Sequence, residues 1–249
     1  MKILGVIPAR FASTRFPGKS IVDINGKPMI QHVYEQALKA TSLAKVLVAT
    51  DDERIASAVK KFNGNVVMTS SAHESGTDRC FEALKKCNEP FDAVINIQGD
   101  EPFIQPEQIN KLANCFSDAQ VQIATLVMKA KNEEELSSPN MVKAFVNKNN
   151  VALYFSRKIN PIYKGKNRAD WQEVHDCFKH IGIYGYRTDV LGAITKLPRS
   201  TLEIAESLEQ LRWLENEYKI TIGITDLESI AIDTPEDLTK ALLKFPTKK

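Results

Sequence analysis

Through its first half the chain alternates apolar runs of strand length with amphipathic segments of helix length, and that order leaves few folds open. Lys2–Pro8, Lys45–Thr50, Asn65–Thr69, Asp92–Ile97 and Gln122–Met128 read as strands. Helices are expected near Pro28–Ala40, Asp52–Phe62, Asp78–Cys87 and Pro106–Phe116. Val46-Leu47-Val48 and Val94-Ile95-Asn96-Ile97 run apolar without alternating, as strands do when both faces of a parallel sheet are covered. Right-handed crossovers then place helices on both sides, and ligands gather at the carboxyl ends of the strands.

From about residue 129 to 192 the pattern loosens into an insertion or cap, with strand-like Met141–Val146 and His180–Arg187 around polar stretches such as Lys164–Asp170. Leu202–Tyr218 reads as one long amphipathic helix, its stripe formed by Ile204, Leu208, Leu211, Leu214 and Tyr218. Glu203, Glu206, Glu209 and Arg212 fall off that stripe. Strands at Ile220–Thr225 and Ser229–Ile232 and a helix from Pro235 close a single domain of 249 residues.

Basic residues number 33 and acidic ones 31, a formal charge of +2. So balanced a chain has no long-range field for nucleic acid or an anionic membrane, and an anionic ligand must be held by local clusters. No apolar run approaches the roughly 20 residues of a membrane span. The first apolar run is stopped by Pro8 and lacks a signal-peptide cleavage site, so a cytoplasmic protein is expected. Four cysteines fit that compartment: Cys80 and Cys87 lie too far apart along one helix to bridge, and Cys115 and Cys177 stand alone.

The first strand runs into Pro8-Ala9-Arg10-Phe11-Ala12-Ser13-Thr14-Arg15-Phe16-Pro17-Gly18-Lys19, a loop with three cations at the carboxyl edge of the sheet. Arg10, Arg15 and Lys19, with backbone N–H groups, suit a polyphosphate. Gly18-Lys19-Ser20 ends like a Walker loop, but Ser13 stands where the first glycine must be, which disfavours an ATPase. The bland alternative is a solvated basic loop. Asp100, in Gln98-Gly99-Asp100-Glu101-Pro102, falls at the same edge. Asp233 follows the last short strand; with Thr234 as N-cap and Pro235 at the first helical position its carboxylate is not needed for capping. Two carboxylates facing a cationic loop are what a Mg²⁺–triphosphate site needs. Ser75-Gly76-Thr77-Asp78-Arg79 opens a helix that Thr77 is expected to cap, and lets a planar base approach Gly76 while Arg79 donates to it.

These segments, with Gly26-Lys27-Pro28-Met29-Ile30, Ala49-Thr50-Asp51-Asp52, Tyr154-Phe155-Ser156-Arg157, His180-Ile181-Gly182-Ile183-Tyr184, Leu208-Glu209-Gln210-Leu211-Arg212 and Asp233-Thr234-Pro235-Glu236-Asp237, resemble the 3-deoxy-manno-octulosonate (Kdo) cytidylyltransferases in order along nearly the whole chain. The resemblance implies an α/β, Rossmann-like nucleotidyltransferase fold with a mostly parallel sheet, in which about 129–192 supplies a sugar-site and dimerisation element. It further implies a Mg²⁺-dependent homodimer that transfers CMP from CTP to Kdo for lipopolysaccharide synthesis. By position, Arg10, Arg15, Lys19 and Asp100 are the catalytic set and Asp100 and Asp233 the metal ligands. Pro8, Ala9, Ser75, Gly76, Arg79 and Gln98 join the cations at the nucleotide. Gln98, Arg157, His180, Tyr184, Glu209 and Gln210 form the sugar site. Ser20 stands where the family usually has proline, and Asn160-Pro161 where it has Ile-Pro; neither change removes a reactive group.

Kdo carries a carboxylate and many hydroxyls, and Arg157 can fork onto the former. From the residues alone His180 reads equally as a satisfied strand histidine, and Glu209 as part of a solvated face paired with Arg212. A sialic acid cytidylyltransferase is disfavoured by Arg15, and the 8-amino analogue of Kdo stays open as acceptor. A silent binding module has no need of paired metal ligands. A nicotinamide-binding protein fails because no GxGxxG follows the first strand.

Overall fold

The computed structural model describes residues 1–13, 15–158 and 177–244. Thr14, Asn160-Pro161 and the run Lys164–Asp170 lie outside the described residues. β1 (Ile3–Ala9), β4 (Lys45–Thr50), β5 (Val66–Met68), β6 (Ala93–Asn96) and β7 (Ile123–Lys129) stand within a residue or two of their expected places. So do α1 (Met29–Leu38), α2 (Glu53–Lys61), α3 (Gly76–Lys86) and α4 (Pro106–Asn114). A small hairpin, β2 (Asp23–Ile24) and β3 (Lys27–Pro28), turns on Asn25 and Gly26, both at positive φ.

With β8 (Lys143–Val146), β9 (Ala152–Ser156), β10 (Phe178–Arg187) and β11 (Ile220–Ile224), the described residues form a nine-stranded sheet whose main path is β11-β7-β10-β6-β1-β4-β5. The pairs β1–β4, β1–β6, β4–β5 and β7–β11 are parallel. β10 runs antiparallel between β6 and β7. The loosened stretch after β7 therefore supplies a central strand of the sheet as well as the β8–β9 edge. The register of β10 against β7 slips between Ile181 and Tyr184, which turns Gly182 toward Gln98 and Glu101.

Alternate side chains of the central strands feed two cores. Ile3, Ile7, Val46, Val48 and Ile95 pack with α1, α2 and α4 on one face. Leu4, Val6, Leu47 and Val94 pack with α3 and with Val190, Leu191, Leu211 and Trp213 on the other. Both faces of the sheet are thus covered, the physical reason the strands read as unbroken apolar runs. A third cluster joins Ile24, Met29 and Phe103 to Ile232 and Ala241, binding the C-terminal helix Pro235–Lys244 to the strand ends.

Two expectations need correction. Leu202–Tyr218 is not one helix: Thr201–Glu206 and Gln210–Glu215 are separated at Ser207, which adopts the left-handed conformation (φ 53°). The apparent stripe mixes environments, since Ile204 is 57 % exposed whereas Glu203 and Arg212 are buried. Arg212 forks onto Glu203 at 2.6 and 2.7 Å. Periodicity sees apolar spacing but cannot see a buried ion pair. Ser229–Ile232 is likewise not a strand; the Ile232 N–H donates to the Asp100 carbonyl (2.8 Å), laying this segment across a turn rather than along a strand.

The break at Ser207 predicts opposite signs from two substitutions. Ser207→Gly raises stability by up to about 1 kcal/mol because glycine occupies left-handed space freely, and Ser207→Val lowers it by about 1–2 kcal/mol. Urea denaturation checks this; in a continuous helix the glycine would instead cost about 1 kcal/mol.

Candidate active site

β1 and β6 are neighbours from which the crossover connections leave in opposite directions, and the crevice at such a point collects ligands. The loop after β1 folds back on itself, Phe11 carbonyl accepting from the N–H groups of Ser13 and Gly18 at 2.8 and 2.9 Å. Gly18 is left-handed (φ 71°), and Lys19–Ile21 forms one 3₁₀ turn, not the long helix that follows a Walker loop. After β6, the Gly99 Cα lies so near the Pro8 carbonyl that an added Cβ would stand 2.7 Å from that oxygen. Glycine is required there for the two loops to meet.

Their meeting places Lys19 Nζ 2.6 Å from Asp100 and 2.9 Å from Asp233. Arg15 reaches Asp233 from the solvent side at 2.9 Å. Burial would lower the Lys19 pKa, but the charge and hydrogen bond of Asp100, joined by Asp233, raise it above the usual lysine value. Thr234 caps the last helix as expected, accepting from the Asp237 N–H at 3.1 Å, and Asp237 accepts from the N–H groups of Asp233 and Thr234. The Asp233 carboxylate is free to face Lys19.

These groups line a cavity of about 570 Å³ that contains every residue expected at the nucleotide: Pro8, Ala9, Arg10, Arg15, Lys19, Ser75, Gly76, Arg79, Gln98 and Asp100, with Asp233. Arg79 is buried, donating to Thr69 Oγ1 (2.6 Å) and lying 3.3 Å from Asp51. Ser75, not Thr77, caps α3, accepting from the Asp78 N–H. The cavity wall also includes His73, which periodicity had no means of finding; its Nε2 is paired with Glu82. Lys86, the Ser70 N–H and His73 hold Glu82 down at about 2.

A second cavity of about 430 Å³ adjoins the first, sharing Gly76, Gln98, Asp100 and Asp233. Arg157, Tyr184 and Glu209 line it as expected, with Thr77, Asn96 and Glu101 in addition. His180 and Gln210 do not line it. Gln210 is buried, and His180 packs against Tyr184 with the rings tilted by 43° and their centroids 5.2 Å apart. Thr125 donates its hydroxyl proton to the Ile183 carbonyl (2.7 Å), so it accepts from His180 Nε2 at 2.9 Å. Burial pushes His180 down to about 3 and drives Tyr184 well above the usual tyrosine value. Glu101 is raised to about 7 by burial, against a hydrogen bond from Ser229. Glu209, for which a solvated face shared with Arg212 was the bland alternative, is raised by burial and accepts from Thr77 Oγ1 at 2.9 Å.

Among the described residues no group of three or more histidine, cysteine or acidic side chains could hold a metal. Asp100 and Asp233 form a pair of hard oxygen donors that already straddle a cation, the Lys19 ammonium. Such a pair suits Mg²⁺, which takes one or two carboxylates and fills its remaining positions with phosphate and water.

Because His180 is held neutral, its protonation is coupled to unfolding: stability is present above pH 6.5 and is lost as pH falls from about 6.5 toward about 3. The loss is on the order of a few kcal/mol. His180→Gln flattens that part of the stability profile, measured by urea midpoints across pH; an unchanged slope would assign the proton uptake elsewhere.

The chain matches the family described as Cytidylyltransferase over residues 4–220. It is 59 % identical to the 3-deoxy-manno-octulosonate cytidylyltransferase of Parabacteroides distasonis and 57 % identical to that of Bacteroides thetaiotaomicron, covering 97 % of both chains in each case. Its structure superposes on a CMP:2-keto-3-deoxy-manno-octonic acid synthetase complexed with CTP with a TM-score of 0.90 and 43 % identity, covering 98 % and 99 % of the two chains. A putative glucose-1-phosphate thymidylyltransferase of Bacillus anthracis shares the fold at a TM-score of 0.65 and 16 % identity, over 99 % and 98 % of the two chains. With the mostly parallel sheet, the cationic loop and the facing acids in place, the chain belongs to the 3-deoxy-manno-octulosonate cytidylyltransferase family.

Proposed function

We propose that this protein transfers CMP from CTP to Kdo, releasing pyrophosphate and supplying CMP-Kdo for lipopolysaccharide synthesis. The observation that carries the reading is the meeting of Arg10, Arg15 and Lys19 with Asp100 and Asp233 in one cavity that opens onto a second, sugar-sized one. The three cations bind the triphosphate, while Pro8, Ala9, Ser75, Gly76 and Arg79 frame cytosine. In the adjoining cavity Arg157 faces the sugar carboxylate, and Gln98, Tyr184 and Glu209 its hydroxyls. His180 and Gln210 support that wall from behind.

The anomeric 2-hydroxyl of Kdo attacks the α-phosphorus of CTP in line; the new O–P bond forms as the bond to the β-phosphate oxygen breaks, and the hydroxyl proton leaves on the Asp100 side. Arg15 and Lys19 offset the charge of departing pyrophosphate. Mg²⁺ held by Asp100 and Asp233 would neutralise phosphate charge and lower the cost of ionising the sugar hydroxyl. Direct transfer is supported by the side chains themselves. His32 bonds the Ile24 carbonyl, His73 pairs with Glu82, and His180 bonds a threonine buried in the sheet, so none of these histidines activates an accessible nucleophile.

A cytoplasmic homodimer fits the remaining features. Cys80, Cys87 and Cys115 are free thiols, and among the described residues no helix is long and apolar enough to cross a membrane. Leu153 on β9 and Leu202 and Ile204 on the helix Thr201–Glu206 expose apolar side chains, and Ser156 joins the two elements through Glu206 at 3.1 Å. These side chains suit a second copy of the chain.

Purified protein given CTP, Mg²⁺ and a panel of sugar acids releases pyrophosphate fastest with Kdo, with the 8-amino analogue and sialic acid as competitors. CTP is used far better than ATP or GTP, because buried polar groups shaped for a pyrimidine are left unpaired by a purine. Release that is independent of any sugar acid would overturn the reading. Asp100→Asn and Asp233→Asn each lower turnover at least a hundredfold, the scale of losing one strong electrostatic contact of roughly 2.7–4 kcal/mol. Removal of divalent metal by chelation has the same effect; near-native turnover in a folded Asp233→Asn protein would refute the two-carboxylate site.

A further inference from the structure

The turn that opens α3 serves both cavities. Ser75 borders the first, Gly76 borders both, and Thr77, one residue further on, borders only the second of the two. Ser75 takes the capping role, so the Thr77 hydroxyl is not needed by its own helix. That hydroxyl is buried, its residue 2 % exposed, and it donates to Glu209 Oε2 at 2.9 Å. The Tyr186 hydroxyl lies 3.5 Å away.

Glu209 has few other constraints. It stands just after the break at Ser207, at the start of the helix Gln210–Glu215, with its backbone fixed by the buried Leu208 and Leu211 on either side. Arg212, one turn along, is committed to Glu203 in a bidentate pair. The Glu209 carboxylate is therefore oriented by the Thr77 hydroxyl that donates to it, since Arg212 is taken by Glu203 and the Ser75 hydroxyl donates to Asp78 at 2.9 Å. A carboxylate in a polar cavity that must accept from sugar hydroxyls needs one oxygen anchored so that the other keeps a fixed direction.

We propose that Thr77 is a positioning residue for the sugar acid, holding one oxygen of Glu209 so that the other faces the second cavity. The proposal rests on Glu209 bordering the acceptor pocket, as in the functional reading above. It separates Thr77 from Ser75 and Arg79, which on the same helical turn line the first cavity and not the second. General damage to that turn would weaken nucleotide binding, whereas loss of the Thr77 hydroxyl alone acts on the acceptor.

The test is the split between the two Michaelis constants. Thr77→Val keeps the branched shape and removes the hydroxyl; it raises KM for the sugar acid about tenfold, the loss of one charge-assisted hydrogen bond, while KM for CTP stays within about twofold of wild type. Thr77→Ser keeps the donor and stays close to wild type in both. The wild-type protein is assayed first with CTP and Kdo, and absence of turnover there defeats the functional reading and this proposal with it. If the wild type turns over, a Thr77→Val variant with an unchanged sugar KM overturns the proposal alone. So does a rise in both constants, or a Thr77→Ser variant as impaired as Thr77→Val, because each would mark a structural role.

Discussion

Lys19 is held between two acids that the chain supplies 81 and 214 positions further on, and much of the molecule is arranged so that they can meet. One acid rides on the turn after β6, the other on the segment before the last helix, and the lysine on the loop after β1. Like charges brought together in a partly buried cleft repel, and the ammonium between them offsets that repulsion. In the function proposed above, the same balance is what a triphosphate would use: an incoming polyanion would meet cations already gathered, and the two carboxylates could share a divalent ion. Gly99 is what permits the approach, for any side chain there would strike the Pro8 carbonyl.

The second cavity depends on a different device. An antiparallel strand enters the middle of an otherwise parallel path, and its slipped register turns Gly182 toward Gln98 and Glu101. Tyr184 then lines the cavity while Tyr186, Trp213 and His180 pack around it, the Trp213 ring edge-on to both tyrosines. An aromatic layer of this kind holds a phenol in place with little loss of rotamer freedom at the moment of binding. Polar recognition at the surface of the pocket is thus mounted on an apolar support.

How far this was legible in the sequence follows from the range of the forces involved. Strands buried on both faces announce themselves locally, so the first five were placed to within a residue or two, and the helices after them nearly as well. The gathering of the first cavity's cations with Asp100 was readable too, because Arg10, Arg15, Lys19 and Asp100 follow strands whose ends share an edge by topology; Asp233 was expected after a strand that does not form, and reaches the cleft through the packing of Ile232. What escaped was decided by contacts between distant residues. Nothing near Arg212 in sequence says that it prefers Glu203 to Glu209, and only the left-handed Ser207 makes the preference workable. His73 and Thr77 likewise acquire their places from Glu82 and Glu209, and the central position of β10 cannot be read from its own alternation.

The third apolar cluster has a consequence for how the molecule comes into being. Ile232 and Ala241 bind the final helix to Ile24, Met29 and Phe103, and that attachment, with the Ile232 N–H bond to the Asp100 carbonyl, brings Asp233 over the loop of Lys19. All the described strands of the sheet lie before residue 225, so the scaffold can assemble on a chain still being synthesised, with one acid of the pair missing. Competence arrives late, with a segment synthesised after the described strands, and a nascent chain presents its cationic loop before it holds the second carboxylate that completes the cleft.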